Sequence, residues 1–191
     1  MAKTKKQIES LIAKCNSWSD FTDAVSRWNK KEKGDAFERL TQLYLLTKPE
    51  YQSLIKHVWL LGEIPAATRK KLPKLPKPDE GIDLVAETRS GEYWAIQAKY
   101  KGDAHKALTV RELSTFTNLA FNVCSGDFAK GLVASSANKP VKKRHLLGDI
   151  IEIGLDRWLE LRVSDWNSIH IRLGGKTVRP QRREPRPHQR K

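Results

Sequence analysis

The stretch GIDLVAETRSGEYWAIQAKYK, residues 81–101, constrains the fold more than any other part of the chain. Two strand-like runs flank a short turn, and in a strand successive side chains point to opposite faces. In the first run Asp83, Val85 and Glu87 share one face and Ile82, Leu84 and Ala86 the other. In the second, Gln97 and Lys99 lie opposite Trp94, Ile96 and Ala98. A turn centred on Ser90 sets Thr88 against Glu92, and therefore Asp83 against Gln97. Directly opposed antiparallel residues hold their Cβ atoms about 5 Å apart on one side of a sheet. A carboxylate, an amide oxygen and an ammonium thus converge on one spot. Two uses remain open: oxygen ligands for a hard cation with a lysine alongside, or an ordinary cross-strand Asp–Lys pair on a surface hairpin. In the first, Mg²⁺ takes oxygens from one or two protein groups and keeps several waters. The ion polarises a phosphodiester and activates water. The lysine orients or deprotonates that water, or offsets charge in the transition state.

The flanking sequence alternates helices with strands. Residues 5–15 place Ile8, Leu11, Ile12 and Cys15 at helical spacing, and Phe21, Val25 and Trp28 mark a second helix. NKKEKG, residues 29–34, reads as punctuation before a third helix over 35–47 with Phe37, Leu40, Leu43 and Tyr44 on one side. Asp35 and Glu38 stand three apart at its start, the spacing of a capping box. A short buried strand is expected at 57–61. Residues 65–78, with four prolines and five basic residues, read as a loop. Beyond the hairpin the pattern predicts a helix over 109–122, a strand over 129–135, a short helix over 140–147, a strand over 150–153 and a small helix over 156–161. Such alternation implies an α/β sandwich around a mixed sheet. No internal repeat is present.

Charge narrows the partners. The 191 residues carry a net +14, of which the Pro/Arg-rich stretch from Lys176 to Lys191 supplies +6, leaving +8 on the rest. The body is basic in its own right, which favours polyanions. No basic amphipathic helix with a broad apolar face is visible, so nucleic acid is expected over an anionic lipid surface. A merely solvated basic surface is the plainer alternative. The N-terminus lacks an apolar signal core and no 18 apolar residues run together, so neither export nor a membrane span is expected. Two distant cysteines, Cys15 and Cys124, offer no disulfide framework, in keeping with a cytoplasmic chain.

Two other motifs fall away. GGKT, residues 174–177, resembles the end of a phosphate-binding loop, but His170 stands where the first glycine of that pattern belongs. The five histidines are scattered without a pair at ligand spacing, which speaks against zinc.

The order of parts carries more than any single motif. An acid-bearing helix with Glu38, then GID with Asp83, then QAK with Gln97 and Lys99, then helix, GLVASS, helix and strand resembles the PD-(D/E)xK nuclease superfamily, and within it the Mrr-like restriction endonucleases, including the N-terminal nuclease domains of Type ISP and helicase-linked restriction enzymes. The resemblance spans residues 34–161. It implies a restriction-endonuclease-like three-layer sandwich with a central mixed sheet flanked by helices, preceded by an N-terminal helical extension. The expected organisation is an extension over 1–33, a nuclease core over 34–163 and a basic tail or linker over 164–191. It also implies a Mg²⁺- or Mn²⁺-dependent endonuclease acting on double-stranded DNA, with Asp83 as main metal ligand, Gln97 in the usual second acidic position, Glu38 completing the shell and Lys99 as catalytic lysine. Gln97 departs from the superfamily's carboxylate, although this branch commonly has Gln there, and it leaves one fewer negative charge.

For Glu38, the capping box competes with the ligand role. Ser135 and Ser136 suit either substrate contact or a helix N-cap before Pro140. Lys139, Lys142, Lys143 and Arg144 suit a phosphate-lined face or a solvated one, and Lys101 and His105 follow the catalytic strand as candidate phosphate contacts. Fusion to helicase or methyltransferase modules beyond the tail is in keeping with that branch, as is pairing of two copies for double-strand cleavage. A resolvase or exonuclease of the same fold, or a DNA-binding module that does not cleave, are the alternatives. Joint retention of Asp83, Gln97 and Lys99 favours cleavage.

Overall fold

The computed structural model describes residues 3–76, 81–138 and 148–174. At its centre lies a five-stranded sheet in the order β1-β2-β3-β4-β5, formed by β1 (Ile55–Leu60), β2 (Leu84–Thr88), β3 (Tyr93–Lys99), β4 (Lys130–Ser135) and β5 (Ile150–Ile153). The first three strands are antiparallel neighbours; β3, β4 and β5 run parallel. The hairpin has the expected register. Leu84 faces Ile96 and Glu87 faces Tyr93, and the same spacing sets Thr88, which donates its N–H to the Glu92 carbonyl at 2.8 Å, against Glu92.

Helices cover both faces, so the central strands are apolar on both sides, as a parallel sheet requires. On one face α1 (Lys5–Ile12), α2 (Trp18–Val25), α3 (Lys30–Thr47), α7 (Leu155–Leu159) and α8 (Val163–Arg172) share a core with Leu84, Ala86, Trp94, Ile96, Leu132 and Ala134. On the other, α6 (Val110–Asn118), the π-helical turn Leu119–Val123 and the segment around α5 (Ala66–Lys71) pack on Val85, Tyr93, Ala95 and Val133. This is the three-layer sandwich the resemblance implies. The N-terminal helices belong to the same core as the sheet: Ile8, Ile12, Trp18, Phe21 and Val25 join Phe37 and Leu40 in one cluster. A short α4 (Pro49–Gln52) links α3 to β1. Among the described residues no helix is long and apolar enough to cross a membrane.

An aromatic group fixes the end of the sheet where β3 and β4 leave it. Trp158 packs against Trp18, Phe37 and Tyr44, with ring centroids 4.8–5.7 Å apart, and Tyr100 meets Phe37 edge-on at 5.8 Å. Fully buried, Trp158 also donates its indole N–H to the Ser135 carbonyl at 3.0 Å, satisfying the polar group that an interior indole must bring with it.

Four expectations need correction. The third helix begins at Lys30, five residues before Asp35, because Asn29 and Glu32 form a reciprocal capping box; KKEKG is helical and Asp35 lies inside the helix. The proline-rich loop contains α5, which starts after Pro65 and buries Thr68 while Leu72 and Leu75 anchor the chain that follows. The basic tail does not begin at 164: α8 runs there instead, burying Trp166, Ile169 and His170, whose Nε2–H donates to the Cys15 carbonyl at 2.8 Å. Ile82 packs with Val85 rather than Leu84, because the regular strand begins only at Leu84 and Gly81, at φ +107°, turns the chain just before it. The helix expected over 140–147 lies outside the described residues.

Candidate active site

Asp83 occupies the entrance to β2, where three strands meet. Its N–H donates to the Ile96 carbonyl at 2.9 Å and its carbonyl accepts from Leu61 N at 2.9 Å, so the backbone is locked between β1 and β3. The carboxylate reaches across the hairpin, and Oδ2 accepts the N–H of Ala98 at 2.8 Å. That bond aims the side chain at the last residues of β3.

Gln97 is 1% exposed. Its Nε2 donates to the Gly81 carbonyl at 2.8 Å, while Oε1 is buried without a hydrogen-bond partner, one of five such side-chain atoms among the described residues. An unsatisfied buried acceptor costs about 1–3 kcal/mol, so a fold keeps one only for a reason. The bond to Gly81 sets the amide's orientation, with the carbonyl oxygen as the unpartnered end. Gly81 is held against α6: a Cβ there would stand 3.3 Å from Thr115 Cγ2 and 3.4 Å from Phe116 N.

Lys99 closes β3 opposite Ser135 and is partly exposed. It lines a cavity of about 580 Å³ with Lys30, Lys33, Tyr100, Lys101 and Glu112. Glu38 lies on α3, two turns into the helix, and loses its capping rival because the helix starts upstream. Burial, and next the negative charges of Asp83 and Asp35, push its carboxyl up to about 8, while Lys31 and Lys99 pull the other way. Glu38 therefore shares one electrostatic environment with Asp83 and Lys99. Among the described residues no three His, Cys, Asp or Glu side chains form a metal-binding group. The Asp83 and Glu38 carboxylates and the unpartnered Gln97 Oε1 are hard oxygens of the kind that Mg²⁺ or Mn²⁺ takes.

The remaining candidates sort differently. Ser135 and Ser136 are each 2% exposed. Ser135 Oγ accepts from Ala137 N at 3.0 Å, and Ser136 Oγ accepts from Lys101 N at 2.6 Å and donates to the Lys101 carbonyl at 3.2 Å. The Ser136 hydroxyl ties the end of β4 to the chain leaving β3, and that of Ser135 braces the turn after β4. Lys101 forms an ion pair with Glu112, whose carboxylate also completes the capping box of α6 with Thr109. Burial raises the Glu112 pKa, but the hydrogen bonds from Lys101 and Thr109 outweigh it and hold the carboxyl down at about 2. His105 Nδ1 stands 3.2 Å from Asn138 Nδ2. Lys139, Lys142, Lys143 and Arg144 lie outside the described residues. Sequence reading missed Gly81, Lys30, Lys33 and Glu112. A glycine two residues before the key acid was the available signal for the first.

The Mrr_cat_2 family model, a restriction endonuclease family, matches residues 46–168, a span that contains Asp83, Gln97 and Lys99 and excludes Glu38. Among solved structures, the ATP-dependent Type ISP restriction-modification enzyme LlaBIII bound to DNA is similar, with a TM-score of 0.56 and 24% identity over 76% of this chain and 8% of that one. The chain thus corresponds to a small part of that enzyme. A search of curated proteins gives no match.

Proposed function

This chain belongs to the restriction endonuclease family, and we propose that it is the nuclease part of a DNA-restricting, phage-defence enzyme, hydrolysing phosphodiester bonds of double-stranded DNA with Mg²⁺ or Mn²⁺. The observation that carries the reading is the buried, unpartnered Gln97 Oε1, two residues from Lys99 on the same face of β3, with the Asp83 carboxylate bonded to the N–H of Ala98 between them.

Asp83, Gln97 and Glu38 would hold the cation. When bound, it supplies Lewis-acid polarisation of the phosphate and lowers the pKa of water. Asp83 contributes fixed negative charge on a backbone that three strands immobilise. Gln97 contributes a neutral oxygen oriented by Gly81. Glu38 holds a proton near neutral pH and must release it to act as a ligand. Lys99 brings an ammonium to the charge that develops on the phosphate oxygens, where a fixed donor is worth most. Ser136 acts indirectly, by seating the backbone of Lys101. The 8% share of the Type ISP chain supports a place for this segment in a longer enzyme whose helicase and modification modules lie elsewhere.

Calorimetric titration of Mn²⁺ in the presence of duplex DNA tests the ligand set. Asp83→Ala is expected to abolish binding and Gln97→Glu to tighten it by restoring a carboxylate. Wild-type affinity in Asp83→Ala would remove Asp83 from the site.

A further inference from the structure

The first turns of α3 violate the usual electrostatics of a helix. Lys30, Lys31 and Lys33 crowd the end where the macrodipole is positive, and Lys30 and Lys33 stand three apart on neighbouring positions. Both placements cost helix stability, so another interaction must be at stake. Lys30 and Lys33 line the same cavity as Lys99 and Lys101, which reach it from the end of β3 and the chain beyond. Four lysines meet there against one carboxylate, Glu112, already paired with Lys101. Among the described residues neither Lys30 nor Lys33 takes part in an ion pair.

We propose that Lys30, Lys33 and Lys101 form a phosphate site beside Lys99 that grips a non-reacting phosphate of the DNA strand, and that Glu112 is the internal anion this phosphate displaces from Lys101. The inference rests on the nucleic-acid reading of the cleft and assigns a task to a segment that looks like punctuation in the sequence. Glu112 keeps Lys101 extended into the cavity in the absence of DNA. Its capping of α6 does not need the charge, since Gln serves equally at that helix position. The DNA phosphodiester, with two non-bridging oxygens sharing its negative charge, takes over Lys101 together with the two α3 lysines.

The test is binding of a fluorescent DNA duplex in EDTA across a salt series, with no cleavage required. Each lost phosphate contact lowers the slope of log affinity against log salt by about 0.9, so Lys30→Ala/Lys33→Ala should lower it by about 1.8. The wild-type advantage over this variant then shrinks about twelvefold between 50 and 200 mM salt. Lys30→Arg/Lys33→Arg should keep the slope, and Lys6→Ala/Lys14→Ala, an equal charge loss on α1 and the turn that follows it, should barely change it. Glu112→Gln should tighten binding and leave the slope near that of wild type, because Lys101 meets the phosphate in both. An unchanged slope in Lys30→Ala/Lys33→Ala, or an equal drop in the α1 control, would overturn the site; unchanged or weaker binding by Glu112→Gln would overturn the displacement. Cleavage with Mg²⁺, assayed separately, keeps the two readings apart. A wild type that binds with the predicted slopes yet never cuts sinks the nuclease reading and leaves the phosphate site standing.

Discussion

Replacing Gly81 by alanine should damage the site more than the fold. Gly81 sits at φ +107°, a conformation that costs a residue with a Cβ about 1–3 kcal/mol. The added carbon would meet Thr115 Cγ2 at 3.3 Å and Phe116 N at 3.4 Å, tight contacts, the second with backbone that yields little. A total of about 2 kcal/mol corresponds to a fall in melting temperature of roughly 4–8 °C for a chain of this size. The site suffers separately. The Gly81 carbonyl is the partner of Gln97 Nε2, so a shift of this turn leaves both ends of a buried amide unpaired and frees Oε1 to rotate away from Asp83. Gly91→Ala provides the contrast. Its φ of +88° brings a similar backbone cost, but a Cβ there meets nothing within 4 Å and the turn is remote from Asp83. Thermal melting and plasmid cleavage, assayed well below both melting points, should show both variants destabilised and only Gly81→Ala impaired in cutting. A Gly81→Ala protein that melts lower yet cuts as wild type would refute the positioning role.

Two further outcomes follow from buried groups. Glu38, with a folded pKa of about 8 against an ordinary 4.5, binds a proton in the folded chain that the unfolded chain gives up. Metal-free stability should therefore fall as pH rises from about 4.5 towards 8 and level off above, Mn²⁺ binding should strengthen over the upper part of that window, and Glu38→Gln should flatten both trends in pH-dependent melting and calorimetry. Trp158→Phe removes the donor to the Ser135 carbonyl in a fully buried place and should cost about 1–3 kcal/mol in urea unfolding; a cost near zero would mean that this bond holds nothing.

What the sequence disclosed depended on how local the deciding interaction was. The hairpin register was legible because pleat alternation and a short turn leave one pairing, and that pairing already sets Asp83 against Gln97. The start of α3 was not. Asn29 with Glu32 and Asp35 with Glu38 are equivalent capping patterns in sequence, and the choice falls to the burial of Glu32 and the reciprocal bonds of Asn29. The last helix was hidden by its basic, proline-rich continuation, although Val163, Trp166, Ile169 and His170 keep helical spacing. For Ser135 and Ser136 the sequence leaves substrate contact and a helix N-cap open, since the Lys101 backbone that bonds Ser136 lies 35 residues away in the chain. The lysines at the start of α3 stand out as an anomaly only once the helix is known to begin at Lys30.

The central claim is that this site cuts DNA through Lys99. Its most direct test is cleavage of plasmid DNA by the purified chain with Mg²⁺ or Mn²⁺, comparing wild type with Lys99→Ala. Lys99 is partly exposed at the end of its strand, so Lys99→Ala should fold normally by circular dichroism. Cleavage by the variant should fall by about 10²–10³-fold, the scale for losing one fixed charge at a reacting phosphate. A folded Lys99→Ala protein that cuts at the wild-type rate would contradict the account.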